Sequence, residues 1–219
     1  LARLGQLQRV RCDVTRPATI AAAMAGADAA VYLVGAFAGD LPVLHVEGAR
    51  AAAEAAKHAG AEAFVQVSAL SADPHSDSAY AATKGRGEEA VRKAFKDATI
   101  LRPSVLFGPD DRFVNLFARL IEAFSVLPVF GAAAELQPLF VDDAAQAIAA
   151  ALAHPGAFGG KTCELAGPEV LTMGRLNRMI AEAQGRKRLF VELPDALSGF
   201  IAALPGTPIN RDQWTLLKA

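Results

Sequence analysis

The run Ala63-Phe64-Val65-Gln66-Val67-Ser68 leads through a loop containing Asp73-Pro74 to Tyr80-Ala81-Ala82-Thr83-Lys84, and Thr99-Ile100-Leu101-Arg102-Pro103 follows. The first and last of these pieces are short and apolar, as strands buried on both faces are, whereas residues 78–95 between them have the spacing of a helix. Strand, helix and strand in that order form a crossover unit, and a crossover joins parallel strands.

The same rhythm continues upstream. Residues 8–12, Gln8-Arg9-Val10-Arg11-Cys12, read as a strand; Asp13 follows, and Pro17 opens a helix over 17–25 that Gly26 ends. Residues 29–34 form a further buried strand, and a helix over about 45–59 is stopped by Gly60. The expected fold is therefore α/β, a doubly wound parallel sheet.

Downstream of Pro103 the pattern loosens. Gly108-Pro109-Asp110-Asp111 leads into an amphipathic helix carrying Phe113, Leu116, Phe117, Leu120 and Ile121, followed by an extended piece at Pro128-Val129-Phe130. Leu139-Phe140-Val141 then returns to the βα style, with Asp142 and Asp143 expected to cap a helix over 144–153. A strand over 162–165, a helix over 172–184, a strand over 189–193 and two short helices, one after Asp195 and one around Trp214, complete the chain. The expected division is a sheet domain over 1–103, rejoined by 139–166, and a small substrate or partner lobe over 104–138 and 167–219.

Composition narrows the chemistry. With 219 residues, 53% hydrophobic and 21% charged, the chain can bury a sizeable core. A net charge of −1 gives no field to neutralise a phosphate backbone, which speaks against nucleic acid as a partner. The two cysteines, Cys12 and Cys163, read as buried small hydrophobes in a reducing compartment. His45, His58, His75 and His154 fall in separate segments, so no metal site is expected and they read as surface or turn histidines. The apolar stretch 196–204 is about half of the ~20 residues that cross a bilayer, so no transmembrane segment is expected. Gly199-Phe200-Ile201-Ala202-Ala203-Leu204 within it reads as core. Leu1-Ala2-Arg3-Leu4-Gly5 has neither an initiator methionine nor the charged start of a signal peptide, so the chain is expected to begin inside a longer protein.

Tyr80 and Lys84 carry the strongest chemical signal. Positions i and i+4 share one helix face. A tyrosine with a pKa near ~10 is a poor proton donor or acceptor at neutral pH, and an adjacent ammonium favours its phenolate. Such a pair can pass a proton to a carbonyl. On spacing alone, a partly buried helix tyrosine with a solvated lysine is the commoner arrangement.

The order and type of these segments give the chain a family likeness. Cys12-Asp13-Val14, Leu33-Val34-Gly35, His45-Val46-Glu47-Gly48-Ala49-Arg50, Tyr80 to Lys84, Leu101-Arg102-Pro103-Ser104-Val105-Leu106-Phe107-Gly108-Pro109, Phe140-Val141-Asp142-Asp143 and Ala166-Gly167-Pro168 are the segments that carry it. Together they resemble the extended and atypical short-chain dehydrogenase/reductase superfamily, the NAD-dependent epimerase/dehydratases. Within it the likeness is nearest to the nucleotide-binding accessory subunit of respiratory complex I and its bacterial relatives.

The resemblance implies a Rossmann-like fold that binds NAD or NADP, leaning to NADP. It implies that Asp13 meets the adenine amino group, Val14 the adenine ring, and Val34 and Gly35 the ribose and pyrophosphate path. Ser68 would lie at the cofactor site, Tyr80 would be the acid/base, Lys84 would hold the ribose hydroxyls and Pro103 would lie on the nicotinamide side. Each also has a plainer account: Asp13 as a loop residue or cap, Gly35 as a turn, Pro103 as a strand end.

Three features stand against a simple enzymatic reading. Where the superfamily has its third catalytic hydroxyl, this chain has Leu70, and Ser71 could serve only if the loop is shifted. Such an oxyanion donor can contribute ~2.7–4 kcal/mol to a transition state. His45 stands where relatives commonly have asparagine. The strand, Gly-rich turn and helix that would hold a pyrophosphate do not occur in the sequence; Gly85-Arg86-Gly87-Glu88-Glu89-Ala90 matches a G-x-G-x-x-A pattern but follows no strand.

The resemblance thus implies either an NAD(P)-dependent oxidoreductase or epimerase/dehydratase, or a non-catalytic NAD(P)H-binding accessory or assembly subunit of a respiratory NADH dehydrogenase complex. The expected location is cytoplasmic, peripheral at the inner face of the membrane in the second case.

Overall fold

The computed structural model describes residues 8–202 and 210–218, so the readings made above for 1–5 and for 203–204 lie outside the described residues. In chain order the elements are α1 (Pro17–Met24), β1 (Ala29–Tyr32), α2 (Gly48–His58), β2 (Ala63–Val67), α3 (Ala79–Ala94), β3 (Thr99–Pro103), β4 (Leu106–Phe107), α4 (Val114–Ala123), β5 (Val126–Val129), β6 (Glu135–Leu136) and β7 (Leu139–Phe140). They continue with α5 (Val141–Ala153), α6 (Pro155–Phe158), β8 (Thr162–Leu165), β9 (Leu171–Thr172), α7 (Met173–Ala183), β10 (Leu189–Glu192), α8 (Asp195–Ala202) and α9 (Arg211–Lys218). A π-helical turn, Val43–Glu47, opens α2.

The main sheet has the order β1-β2-β3-β8, all parallel, with Val31 opposite Val65, Val65 opposite Thr99 and Leu101 opposite Cys163. Both of its faces are covered, because alternate residues of each strand meet different helices. Ala30, Tyr32, Phe64 and Ile100 pack with Ala49, Ala52, Ala53 and Ala56 of α2 and Val91 of α3. Val65 and Leu101 face the other way, onto Ala151, Ile148 and Ala147 of α5. The alanine face of α2 lets that helix lie close to the sheet, and Gly26 and Gly60, with φ of 73° and 80°, end α1 and α2 where a side chain would be strained.

A second hydrophobic cluster gathers around Phe117, Ile121, Leu127, Met173, Leu176, Ile180 and Trp214. Its backbone is braced by the parallel pair β5 and β10 and the antiparallel pair β6 and β9, while the short parallel pair β4 and β7 lies against α5. The Ala166-Gly167-Pro168 segment has a packing reason: a Cβ on Gly167 would lie 1.8 Å from the Pro138 carbonyl oxygen. Gly167 N–H and O are both bonded to Gln137 there.

Five expectations are corrected. Residues 8–12 form no strand; Val10 is 58% exposed, and among the described residues nothing pairs with this segment. A strand exists only within a ladder, so a position ahead of a helix does not by itself fix one. Asp142 and Asp143 lie inside the first turn of α5 and not at its cap; they face the positive end of the helix dipole from within. Cys12 is exposed. His45 is buried, with 1% of its surface accessible, because the π-helical turn rotates it inward. Phe200 is 66% exposed and Ala202 3%, so α8 contributes only one side to the core.

Candidate functional site

Parallel strands end on the same edge, and the loops beyond β1, β2 and β3 carry Val34-Gly35, Ser68 and Ser104 there. Helix α3 runs back along the sheet from this edge, which places its first turns beside the strand ends. Its N-cap is Ser78, whose hydroxyl accepts the Ala81 N–H at 3.2 Å. Tyr80, Lys84 and Glu88 then recur one turn apart on one face.

Lys84 is the centre of the arrangement. Its ammonium, 3% exposed, donates to the carbonyl of Val67 at 2.8 Å and more weakly to that of Val34 at 3.4 Å. It thus bridges the ends of two adjacent strands. Burial pushes its pKa down to about 8, partly offset by Glu88, so it remains largely cationic at neutral pH. Among the described residues a Cβ on Gly35 would meet only this ammonium, at 3.9 Å, so the backbone there leaves space beside the charge. Ser68 is buried, and its hydroxyl has no hydrogen-bond partner among the described residues. Pro103 is buried at the end of β3, where its carbonyl accepts the Leu70 N–H at 3.0 Å.

Tyr80 behaves differently from the expectation. Its ring stacks on Phe37 with centroids 4.3 Å apart and planes 18° from parallel, and meets His45 edge-on at 5.5 Å. Burial pushes its pKa up to about 12. The Lys84 ammonium is committed to the two carbonyls, so it does not draw the phenol downward as the i, i+4 spacing suggested.

His45 joins the loop after β1 to α3. Its Nε2 accepts the Ala36 N–H at 3.0 Å, and Nδ1 lies 2.8 Å from the Thr83 hydroxyl, which itself donates to the Ala79 carbonyl at 2.7 Å. This pattern requires a neutral ring with its proton on Nδ1. Burial and the nearby Lys84 charge push its pKa down to about 4, which agrees. Behind it, the Tyr32 hydroxyl donates to the Leu44 carbonyl at 2.6 Å within the π-helical turn.

The remaining sequence candidates lie apart from this cluster or at its rim. Asp13 is exposed; its Oδ1 accepts from the N–H and hydroxyl of Thr15, which lowers its pKa and shapes the turn into α1. Val14 packs at the start of α2, where a Cβ on Gly48 would come within 3.3 Å of it. Ser71 lies exposed in the turn after Leu70, and its hydroxyl makes no hydrogen bond with a described residue. Gly85 and Gly87 are packing positions: a Cβ on Gly85 would meet Pro74 N at 2.4 Å, and one on Gly87 the His45 carbonyl at 2.2 Å. No group able to hold a metal occurs among the described residues.

Phe37, Thr83 and the buried role of His45 escaped the sequence reading, although His45 already stood out as the residue replacing an asparagine. Glu88 and Arg102 also escaped it. They form a two-pronged pair, with Arg102 Nε and Nη2 donating to Glu88 at 2.9 and 2.7 Å.

Residues 1–118 match the NAD(P)H-binding family. The chain belongs to that family. Its similarity to curated members is broad: it is 32% identical to the mitochondrial NADH dehydrogenase [ubiquinone] 1 alpha subcomplex subunit 9 of Arabidopsis thaliana, over 95% of this chain and 53% of that protein. It is 38% identical to a ceramide reductase of Caulobacter vibrioides, over 68% of this chain and 46% of that enzyme. The chain thus spans about half the length of the curated relatives it matches. Among solved structures, a dTDP-4-dehydrorhamnose reductase from Clostridium acetobutylicum superposes with a TM-score of 0.73 at 16% identity, over 94% of this chain and 85% of the other. This NAD(P)H-binding chain therefore has the α/β fold of the reductase and epimerase structures. No described helix is long and apolar enough to cross a membrane.

Proposed function

We propose that the chain forms part of an NAD(P)H-dependent carbonyl reductase in which Lys84 holds the ribose hydroxyls of the dinucleotide and Tyr80 donates the proton to the substrate oxygen. The observation that carries this reading is the buried Lys84 ammonium at the ends of β1 and β2, close in the chain to a buried Ser68 hydroxyl that has no hydrogen-bond partner among the described residues. Unpaired buried polar groups are costly, and vicinal hydroxyls offer acceptors and donors to both. Gly35 keeps the approach to the ammonium clear. The residues present fit the cofactor's ribose and nicotinamide half, with Val34, Gly35, Ser68 and Pro103 lining it and Asp13 and Val14 towards the adenine.

The bound dinucleotide supplies the hydride. Lys84 contributes orientation and positive charge, and Tyr80, with its phenol protonated, supplies the proton at the reacting carbonyl. Leu70 contributes no hydroxyl, and Ser71 takes that role only with a rearranged turn. Sheet and α3 form the cofactor-binding part over 1–103 with 139–166, and 104–138 with 167–219 form the substrate or partner lobe.

A second reading is favoured by Leu70 and by the stacking of Phe37 on Tyr80. In it, the dinucleotide is a structural element of an accessory subunit docked to a respiratory NADH dehydrogenase at the inner, cytoplasmic face of a membrane. Tyr80→Phe in the full chain separates the two. For a reductase, turnover with NADPH or NADH should fall by ~10²–10⁴ while dinucleotide affinity is retained. For a structural nucleotide, the dinucleotide should raise the melting temperature and no carbonyl reduction should depend on Tyr80. Absence of saturable binding of either dinucleotide by calorimetry would end both readings.

A further inference from the structure

The first turn of α3 has a partner from the far end of the chain. A helix begins with N–H groups that have no intrahelical acceptor. Ser78 accepts that of Ala81, and the first intrahelical bond is Ala82 N–H to the Ser78 carbonyl. The N–H groups of Ala79 and of Tyr80 itself are taken by Asp212, whose Oδ1 and Oδ2 lie 2.8 and 3.2 Å away. A carboxylate spanning two N–H groups at the positive end of a helix is a charge-assisted, geometrically specific contact.

Asp212 is not free to follow α3. It sits in the first turn of α9, whose start is fixed by reciprocal bonds, Asn210 N–H to Gln213 Oε1 at 3.0 Å and Gln213 N–H to Asn210 Oδ1 at 2.8 Å. Trp214, two residues on, is buried in the lobe against Gly131 and Gly199. Lys218 at the other end of the helix is paired with Asp195 of α8 at 2.7 Å. The carboxylate therefore belongs mechanically to the lobe, while the backbone it grips belongs to the candidate acid/base.

We infer that Asp212 is a positioning residue for Tyr80, tying the lobe that would receive the substrate to the helix that would protonate it. The inference rests on the reading of Tyr80 as the acid/base. Wherever the lobe moves as a body, the origin of the Tyr80 side chain moves with it, so the phenol stays in register with whatever the lobe holds. A cap on the helix alone would stabilise α3 without this coupling, and Ser78 already supplies such a cap.

The test uses the full chain with Asp212→Ala and Asp212→Asn, and reads the ring signals of Tyr80 by NMR, identified by their loss in Tyr80→Phe. Phe37 face-on and His45 edge-on give that ring a distinctive magnetic environment. Asp212→Ala should move the Tyr80 signals towards those of an unstructured tyrosine while Tyr32, bonded to Leu44, stays in place. Asp212→Asn, which keeps one acceptor oxygen, should give a smaller displacement. If Asp212→Ala does not fold, the Asp212→Asn spectrum decides alone. Turnover should fall in the same order with the KM for NADPH unchanged. Lower melting temperatures with unmoved Tyr80 signals would reduce Asp212 to a cap and overturn the inference. Displaced Tyr80 signals in a protein whose turnover ignores Tyr80→Phe would uphold the coupling and instead refute the assignment of Tyr80 as the acid/base.

Discussion

At the scale of single residues, burial decides the properties that spacing alone misjudges. His45 has an ordinary pKa near ~6.5 when unfolded and about 4 when folded. Between those values the unfolded chain binds the extra proton, so stability is complete above about pH 6.5 and is lost as the pH falls towards 4. The loss should reach up to about 3 kcal/mol, from roughly 1.4 kcal/mol per pKa unit. Urea midpoints at pH 7 and pH 5 measure it: His45→Asn should flatten the difference, and an unchanged slope in that variant would show that another group titrates. The Glu88 and Arg102 pair gives a second prediction. Glu88 is 6% exposed and accepts both prongs of the guanidinium, so Glu88→Ala leaves a partly buried cation without its partner. The expected destabilisation is about 3 kcal/mol, and Arg102→Ala should cost a similar amount in chemical denaturation.

At the scale of elements, glycine positions show how closely α3 approaches its neighbours. Ala is the better helix former by up to ~1 kcal/mol, so Gly87→Ala would stabilise an isolated α3. In the folded chain the added methyl would lie 2.2 Å from the His45 carbonyl, which is backbone and cannot swing aside. Thermal melting should therefore show Gly87→Ala less stable by about 1–3 kcal/mol, and a raised melting temperature would contradict this packing. This contact and that of Gly85 with Pro74 give both glycines of the G-x-G-x-x-A pattern a packing reason. Much of the element pattern was legible beforehand: β2, α3, β3 and β8 follow from apolar runs, helical spacing and stop signals, because those signals are local. Residues 8–12 show the limit, since they were read as a strand from their place ahead of α1, and a ladder partner is not a local property.

At the scale of the molecule, the lobe depends on a few large contacts. Trp214 fills the space between Gly131 and Gly199 and joins the cluster of Phe117, Leu127, Leu176 and Ile180. Trp214→Ala should cost about 3–5 kcal/mol through lost burial and the cavity left behind. Hydrogen exchange should then rise in α4, α7 and α9, while the amides of β2 and β3 keep their protection, because the sheet has its own two covered faces. Equal loss of protection in sheet and lobe would show that the two clusters unfold as one unit.

The amino-acid sequence by itself determined the α/β class, the parallel pairing of β2 with β3, the placing of Tyr80 and Lys84 on one face of α3, and the likeness to the NAD(P)H-binding superfamily. These rest on periodicity, capping and residue type, which act over a few positions. Only the tertiary structure decided that the Lys84 ammonium is held by the carbonyls of Val34 and Val67 rather than by the phenol beside it. It alone buried His45 between Ala36 and Thr83 and laid Phe37 on Tyr80. It alone brought Asp212 across 132 positions to the start of α3. Desolvation and hydrogen-bond geometry depend on which groups the fold brings together, and no spacing along the chain encodes that.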